Sequence, residues 1–169
     1  MKEKILYIFP DNSTFIQKDI ALLSRNYHVV TPEHTWSNKS RTPLNFIRQF
    51  LFLAGHIRSC KAVFVMFGGY WSLLPALFGK IAGRPVYIIP GGTDCVSFPS
   101  LNYGSLRKPL MRTFIRWSFQ LGTKLLPVDE SLVLSEYTWL EKPDYPKQGF
   151  KYFFPLLRTP YRVINNGFD

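Results

Sequence analysis

Short continuous apolar runs recur along this chain, and each one stops at proline, glycine or aspartate. The run KILYIF, residues 4–9, stops at Pro10, and the run AVFVMF, residues 62–67, stops at Gly68 and Gly69. Apolar runs of this length, bounded by turn residues, are typical of strands buried on both faces of a parallel sheet. The pattern predicts five such strands, over residues 4–9, 27–31, 62–67, 85–89 and 123–128.

Between these runs the apolar residues recur at helical spacing, so that strands and helices alternate. This alternation predicts an α/β fold with a mostly parallel, doubly wound sheet. Such sheets bind ligands in the crevice outside the carboxyl ends of their strands. The predicted helices cover residues 15–25, 43–58, 71–82, 106–121 and 129–141, and two short strands over 151–154 and 162–164 follow them.

Composition narrows the class of protein. The 169 residues have the size of one domain, and a hydrophobic content of 46% argues against disorder. The apolar run over residues 50–54, like the other apolar runs, is far shorter than the ~20 residues that span a bilayer. We therefore expect a cytoplasmic protein, in which Cys60 and Cys95 are reduced, buried thiols. The histidines have no metal-ligand spacing, and we expect no metal site.

The formal charge of +10 suggests an anionic partner: a nucleic acid, a membrane surface or a phosphorylated substrate. In the helix predicted over 106–121, Lys108, Arg112 and Arg116 recur every four residues and form one basic stripe. Leu110, Phe114, Trp117 and Leu121 are predicted on the opposite, apolar side. The pattern is that of an amphipathic helix with a cationic side.

The helix predicted over 43–58 is apolar apart from a narrow polar strip that contains Arg48. Such a helix is either packed deeply in the core or pressed against a bilayer interface. For both helices the alternative to an anionic membrane surface is a core helix with solvated charges. We keep a peripheral position at the inner face of the cytoplasmic membrane as an expectation to be tested.

The loop after the fourth predicted strand is the strongest candidate site. It reads Pro90, Gly91, Gly92, Thr93, Asp94, so that paired glycines allow close approach of a ligand to backbone amides. Thr93 and Asp94 add a hydroxyl and a carboxylate, and Asp94 is the one catalytic candidate. The alternative is a tight turn in which Asp94 caps a short helical turn.

Three further loops at the strand ends hold candidate residues. Gly68, Gly69 and Tyr70 follow the third strand, where an aromatic mouth suits a sugar ring, although Trp71 is equally well explained as a core anchor. The loop after the first strand places free amides at a helix N-terminus, which attracts phosphate, but an N-cap without ligand also explains it. The candidates in the loop after the first strand are Asn12, Ser13 and Thr14. The candidate in the loop after the fifth strand is Glu130.

Several motifs, taken in order, resemble the N-terminal domain of GT-B fold glycosyltransferases of the retaining family 4. The match runs over nearly the whole chain and includes a "G-x-D" at Gly92 and Asp94. The motifs are KILYIFP at 4–10, AVFVMFGGY at 62–70, GRPVYIIPGGTD at 83–94, TKLLPVDESL at 123–132 and RVINNGFD at 162–169.

This resemblance implies a Rossmann-like three-layer sandwich, the acceptor-side half of a GT-B enzyme, over residues 1–169. The linker to a C-terminal donor-binding domain, which is absent from this chain, would begin at about 165–169. The whole enzyme would move a sugar from a nucleotide sugar to a saccharide or lipid-linked acceptor in cell-surface polysaccharide synthesis, without a metal. The domain alone is expected to be inactive and to bind no cofactor.

The chain departs from the family pattern at two places. The loop after the first strand, residues 11–14, has no glycine, and Pro90 and Gly91 stand where the family often has a histidine. No catalytic side chain can therefore be carried over from the family. Two alternatives remain open: a stand-alone phosphate- or nucleotide-binding α/β module, and a nucleic-acid-binding module. No nucleic-acid recognition motif is visible, so we do not expect nucleic acid as a partner.

Overall fold

A five-stranded parallel sheet forms the centre of the structure, a computed structural model that describes residues 2–33, 35–137 and 142–165. Its strand order is β2-β1-β3-β4-β5. The strands are β1 (Lys4–Ile8), β2 (His28–Val30), β3 (Ala62–Met66), β4 (Val86–Ile89) and β5 (Lys124–Leu125). All neighbouring pairs run parallel, as the alternating pattern predicted.

Helices join consecutive strands, and single turns of 3-10 helix flank several of them. The main helices are α1 (Thr14–Ser24), α2 (Thr42–His56), α3 (Tyr70–Ala82), α4 (Pro109–Leu121) and the short α5 (Phe150–Phe153). The 3-10 turns are Lys39–Arg41, Ile57–Ser59, Ser105–Arg107 and Glu130–Leu132.

Side chains alternate across the sheet and form a core on each face. On one face, Ile16 of α1 packs with Tyr7, Phe9 and Met66. On the other face, α2, α3 and α4 cover the sheet. The larger core there contains Leu6, Ile8, Val63, Val65, Val86 and Ile88 from the strands and Leu53, Ala76, Ile115 and Phe119 from the helices. The protein is thus an α/β three-layer sandwich of Rossmann-like type, which confirms the predicted fold class.

The middle helix of the larger layer lies unusually close to the sheet. A Cβ added to Gly79 of α3 would overlap the side chain of Val86 in β4, so only glycine allows this approach. The helix ends at Gly83, whose φ of 64° is the left-handed conformation of a C-cap. That end of the helix was predicted from the glycine.

The predicted helix over 129–141 is wrong for residues 129–137, and residues 138–141 lie outside the described residues. A 3-10 turn at Glu130–Leu132 is followed by irregular chain. The carbonyl of Val133 accepts a hydrogen bond from the N–H of Lys151, at 3.0 Å, instead of from its own next turn. Ser135 and Gln148 exchange two backbone hydrogen bonds. Pairing with a distant segment therefore replaces the local helix.

The two strands predicted near the end of the chain also need correction. Residues 150–153 form the helix α5 instead of a strand. Its first residue, Phe150, is buried, with its ring 6.0 Å from the ring of Phe119. Residues 162–164 form no full strand. Tyr161 makes a single parallel bridge to Leu125, and the N–H of Ile164 donates to the carbonyl of Pro127. The chain therefore extends the sheet edge with hydrogen bonds but without a regular sixth strand.

Among the described residues, no helix has both the length and the apolar composition needed to cross a bilayer. In the same part of the chain, no group of three or more His, Cys, Asp or Glu side chains is placed to hold a metal ion. Cys60 and Cys95 are free and buried, as predicted. Burial raises the pKa of both thiols, that of Cys95 well above its usual value.

Candidate functional site

A cavity of about 300 Å³ opens at the carboxyl ends of the strands, where the fold class predicts a ligand. Four loops contribute to it: those after β1, β2, β3 and β4. Its walls combine aromatic rings with hydroxyl groups and one carboxylate, a mixture typical of small-molecule sites. The lining residues are Pro10, Asp11, Trp36, Ser37, Phe67, Gly68, Trp71, Thr93 and Ser105.

Two tryptophans form the aromatic wall of this cavity. The indole N–H of Trp71 donates to the carbonyls of Met66 at 2.9 Å and Phe67 at 3.1 Å, which ties the start of α3 to the end of β3. The ring of Trp36 lies 6.4 Å from the ring of Trp71, and its backbone N–H donates to the carbonyl of Pro10 at 2.7 Å. Hydrogen bonds therefore hold the ring of Trp71 at the end of β3 and the backbone of Trp36 beside the end of β1.

Phe67 has a backbone conformation that non-glycine residues rarely adopt. Its φ is +61°, in the left-handed region, directly after β3. Such a conformation costs of order 1–3 kcal/mol and persists only where the surroundings enforce it. Here the Phe67 ring packs against the ring of Phe15 at 5.8 Å and fills the space that a side chain at Gly91 would need. Strain of this kind is concentrated at ligand-binding sites, which supports the cavity as the functional site.

The carboxylate of Asp94 joins the loops after β3 and β4. Its Oδ2 accepts from the N–H of Gly68 at 2.7 Å, and its Oδ1 accepts from Gly91 at 3.2 Å and Gly92 at 3.1 Å. Asp94 has no exposed surface. Burial raises the pKa of Asp94, and the three N–H donors oppose that rise.

The carboxylate of Asp94 accepts hydrogen bonds from glycine amides and is not among the residues that line the cavity. The catalytic role considered for Asp94 stays a prediction. The alternative of a capping turn is close to what is found, because the N–H of Cys95 donates to the carbonyl of Gly92 at 2.9 Å. The glycine amides are occupied by the carboxylate.

A second buried polar contact lies beneath the start of α3. The Ser72 hydroxyl accepts from the N–H of Gly69 at 2.9 Å and lies 2.8 Å from the Ser118 hydroxyl of α4. Ser118 in turn donates to the carbonyl of Phe114 at 2.7 Å. The start of α3 is therefore joined to α4 as well as to β3.

Gly68 and Thr93 line the cavity, and the other residues predicted for the site lie around it. The amide of Asn12 accepts a hydrogen bond from Gln17 on the surface of α1. Ser13 and Thr14 begin α1, Tyr70 begins α3, and Glu130 is exposed in the turn after β5. Four further predicted residues lie next to lining residues but do not line the cavity themselves: Gly69, Gly91, Gly92 and Asp94.

Seven lining residues were not among the predicted site residues: Pro10, Asp11, Trp36, Ser37, Phe67, Trp71 and Ser105. Asp11 and Phe67 had a visible signal, because each lies at the carboxyl end of a predicted strand. Ser105 had none, since it reaches the site through a hydrogen bond from its N–H to the carbonyl of Thr93, at 2.6 Å, across a long ordered loop.

The cationic residues predicted on α2 and α4 have different surroundings. Arg48, Lys108 and Arg116 are exposed. Arg112 is half-buried, with its Nε donating to the carbonyl of Leu106 and its guanidinium 5.3 Å from the ring centre of Phe153. The basic stripe predicted on α4 is therefore interrupted, because its central member is engaged within the domain.

The predicted apolar side of α4 is not its buried side. Ile115, Ser118 and Phe119 face the core, whereas Leu110 and Trp117 are at least half exposed.

Comparison of the chain with models of known protein families, and with curated proteins, finds no match.

Proposed function

We propose that this chain is the acceptor-side domain of a GT-B-type glycosyltransferase. The enzyme would transfer a sugar from a nucleotide sugar to a saccharide or lipid-linked acceptor, in cell-surface polysaccharide synthesis at the cytoplasmic side of a membrane. The observation that carries the proposal is the aromatic and hydroxyl-lined cavity at the carboxyl ends of β1 and β3. Rossmann-like folds bind their ligands at this edge, and the ordered motifs of the sequence resemble the GT-B domain.

The cavity has the properties that a carbohydrate acceptor requires. Indole rings offer flat apolar surfaces for the C–H faces of a sugar, and Ser37, Thr93 and Ser105 can exchange hydrogen bonds with its hydroxyls. The cavity volume of about 300 Å³ lies at the lower end of the range for small-molecule sites. One or two sugar rings would fill it.

In the proposed reaction, the bond between the anomeric carbon and the nucleotide diphosphate breaks, and a bond to an acceptor hydroxyl oxygen forms. The acceptor hydroxyl loses its proton and the nucleotide diphosphate departs. This domain would contribute the position of the acceptor, which can account for a large part of a rate enhancement. Asp11 is the one carboxylate among the described residues that line the cavity, and in this proposal it accepts a hydrogen bond from the attacking hydroxyl.

Saturation-transfer NMR with glucose, galactose, mannose and N-acetylglucosamine tests the site directly, because weak sugar binding suffices for a signal. We expect transfer from the protein to at least one of these sugars. Asp11→Asn should weaken binding by about tenfold, since a hydrogen bond to a charged acceptor contributes ~1.5 kcal/mol or more.

Glu3→Gln is the matched control, because Glu3 is an exposed carboxylate beside the opposite end of β1, where it pairs with Lys61. This variant should bind sugars like the unchanged protein. Absence of transfer to all four sugars, or equal losses in the two variants, would contradict the acceptor site.

A further inference from the structure

Helix α2 places two polar side chains on its buried side, beside Leu53, and several large apolar side chains on its exposed side. Asn45 and Gln49 are buried, Gln49 completely. Leu51 is 64% exposed, and Ile47 and Phe50 are at least half exposed. A surface helix of a soluble domain normally turns such an apolar stripe toward the core. The outer side of α2 is therefore an apolar face that the described part of the chain leaves largely uncovered.

Hydrogen bonds hold α2 in this orientation. The Gln49 amide donates to the carbonyl of Trp71 at 2.8 Å, and the Asn45 amide donates to the carbonyl of Thr35 at 2.8 Å. Both acceptors are backbone groups next to the cavity. Rotating the helix to bury Ile47 and Leu51 would break these two partly buried hydrogen bonds, which is unfavourable.

The apolar face continues onto the two neighbouring helices. The ring of Phe50 meets the ring of Phe78 in α3 at 5.1 Å, and the ring of Phe46 meets the ring of Phe114 in α4 at 5.9 Å. We call this surface the apolar helical face. Its exposed members are Leu44, Ile47, Phe50 and Leu51 of α2, Leu77 and Ile81 of α3, and Leu110 and Trp117 of α4.

The charges around the apolar helical face are almost entirely positive. Between residues 34 and 128, which include α2, α3 and α4, the sequence has twelve basic residues and one acidic residue, Asp94, which is fully buried. The exposed Glu33, just before this range, lines a cavity with Arg48 and is the acidic exception beside α2. Arg41, Arg48 and Lys80 are exposed on or beside α2 and α3. Apolar side chains flanked by arginine and lysine match the surface of an anionic bilayer, where apolar groups enter the acyl boundary and cations meet headgroups.

We propose that the apolar helical face docks this domain on an anionic membrane. A second copy of the chain is a poor occupant, because two faces of the same positive sign would repel each other. The exposed residues lie on three helices that are fixed to one another, so they can enter the interface together without unfolding of the domain.

The position of the apolar helical face has a consequence for the acceptor that would enter the cavity, and this consequence rests on the proposed function. The helices begin at the edge of the sheet that holds the cavity, and the ring of Trp36, which lines the cavity, lies 5.1 Å from the ring of Phe46. Docking would bring the cavity next to the lipid surface. The acceptor class that fits this geometry is a lipid-linked saccharide, whose headgroup would enter the cavity while its chain stays in the bilayer.

Vesicle co-sedimentation of the protein tests the docking without any sugar. The probes are vesicles of phosphatidylcholine alone and vesicles containing about 30% phosphatidylglycerol, at about 50 and 500 mM salt. We expect binding to the anionic vesicles at low salt and a loss of about tenfold or more at high salt. No binding to anionic vesicles at low salt, or equal binding to neutral ones, would overturn the proposal.

Leu51→Ser probes the face, and Leu22→Ser is its matched control, since Leu22 is 59% exposed on α1, on the other side of the sheet. Leu51→Ser should weaken vesicle binding by about tenfold, and Leu22→Ser should leave it unchanged. Arg48→Gln should weaken it about fivefold, whereas Arg25→Gln, at the exposed end of α1, should have little effect.

Circular dichroism and thermal melting of Leu51→Ser establish that the variant is folded. Equal losses in Leu51→Ser and Leu22→Ser would overturn the proposal, and so would a dimer in sedimentation velocity that Leu51→Ser alone dissociates. Because these readouts need no sugar, vesicle binding together with failure of the sugar-binding experiment would sustain the membrane surface and reject the acceptor site.

Discussion

The inner and outer sides of the helical layer both depart from the pattern expected of surface helices. The inner side includes four buried polar residues, Asn45, Gln49, Ser72 and Ser118, among apolar ones such as Leu53. The outer side of α2 holds a row of exposed leucine, isoleucine and phenylalanine. The comparison teaches that composition does not decide which side of a helix faces inward. Specific hydrogen bonds to backbone at the site do so, because a buried polar group is stable only when it is paired.

The two sides also differ in what they determine. The polar inner side connects α2, α3 and α4 to the loops that form the cavity, so its residues should govern stability and the shape of the site. The outer side makes few contacts within the domain and should govern association with a partner. Substitutions on the two sides are therefore expected to separate folding from membrane docking.

The largest effect is expected for Asp94→Ala, which removes the acceptor of three N–H groups, one of them in a buried and two in partly buried hydrogen bonds. Unsatisfied buried donors cost ~1–3 kcal/mol each, and relaxation of the loops will recover part of this. We expect the free energy of unfolding to fall by about 3 kcal/mol or more, as measured by urea denaturation.

The pH dependence of that loss of unfolding free energy shows whether burial or hydrogen bonding has the larger effect on the pKa of Asp94. The pKa of Asp94 is raised on folding, so the folded state holds its proton more tightly than the unfolded state. The stabilisation that the Asp94 carboxyl group contributes to the folded state is then fully present at a pH below its unfolded pKa. This stabilisation is lost as the pH rises through the folded pKa. Asp94→Ala should therefore cost more near pH 4 than near pH 8. A larger cost near pH 8 would mean that the three N–H donors outweigh burial.

Gly91→Ala should have the next largest effect, because its Cβ would overlap the ring of Phe67. Overpacking of this kind costs typically 1–3 kcal/mol, and here it would also displace a residue that lines the cavity. Gly55→Ala, in α2, is the control, since its Cβ would meet nothing within 4 Å. The control should be neutral or stabilising, by up to about 1 kcal/mol. Thermal melting of both variants distinguishes steric overlap from a general intolerance of alanine.

The smallest effects come from exchanging residue types on α2. Gln49→Leu removes the hydrogen bond to the carbonyl of Trp71, but it also removes the Gln49 Oε1, which is buried without a partner in the described part of the chain, so the net cost should be about 1 kcal/mol or less. Leu51→Ser should cost about 0.5 kcal/mol or less, because its side chain is mostly exposed. Urea denaturation of the pair tests the comparison directly. A larger loss for Leu51→Ser would show that the outer side stabilises the domain.

Much of the fold was predictable from the sequence because strand burial and helix ends leave local signals. The runs at residues 4–9 and 62–67 are apolar throughout, and β1 and β3 fall within them. Gly83 marked the end of α3 by its lack of a side chain. The segment over 129–137 failed because its helical spacing was outweighed by hydrogen bonds from Gln148 and Lys151. A partner that is distant along the chain leaves no trace in a local pattern.

The candidate site was predicted only in outline. Its edge of the sheet follows from the strand order, and Gly68 and Thr93 do line the cavity. The role of Asp94 could not be read locally, because two of its three donors are neighbours while the N–H of Gly68 comes from another loop. The left-handed conformation of Phe67 was equally hidden, since phenylalanine gives no sequence signal for it.

The sequence by itself determined the alternation of strands and helices, the positive charge of the middle of the chain and the presence of an unusually apolar helix. Each of these depends on residue type and spacing alone. Only the tertiary structure decided which side of that helix is buried, which loops meet at the cavity and that Asp94 lies beneath it. Those outcomes depend on hydrogen bonds and ring contacts between residues far apart in the chain, and such contacts form only when the sheet brings the segments together.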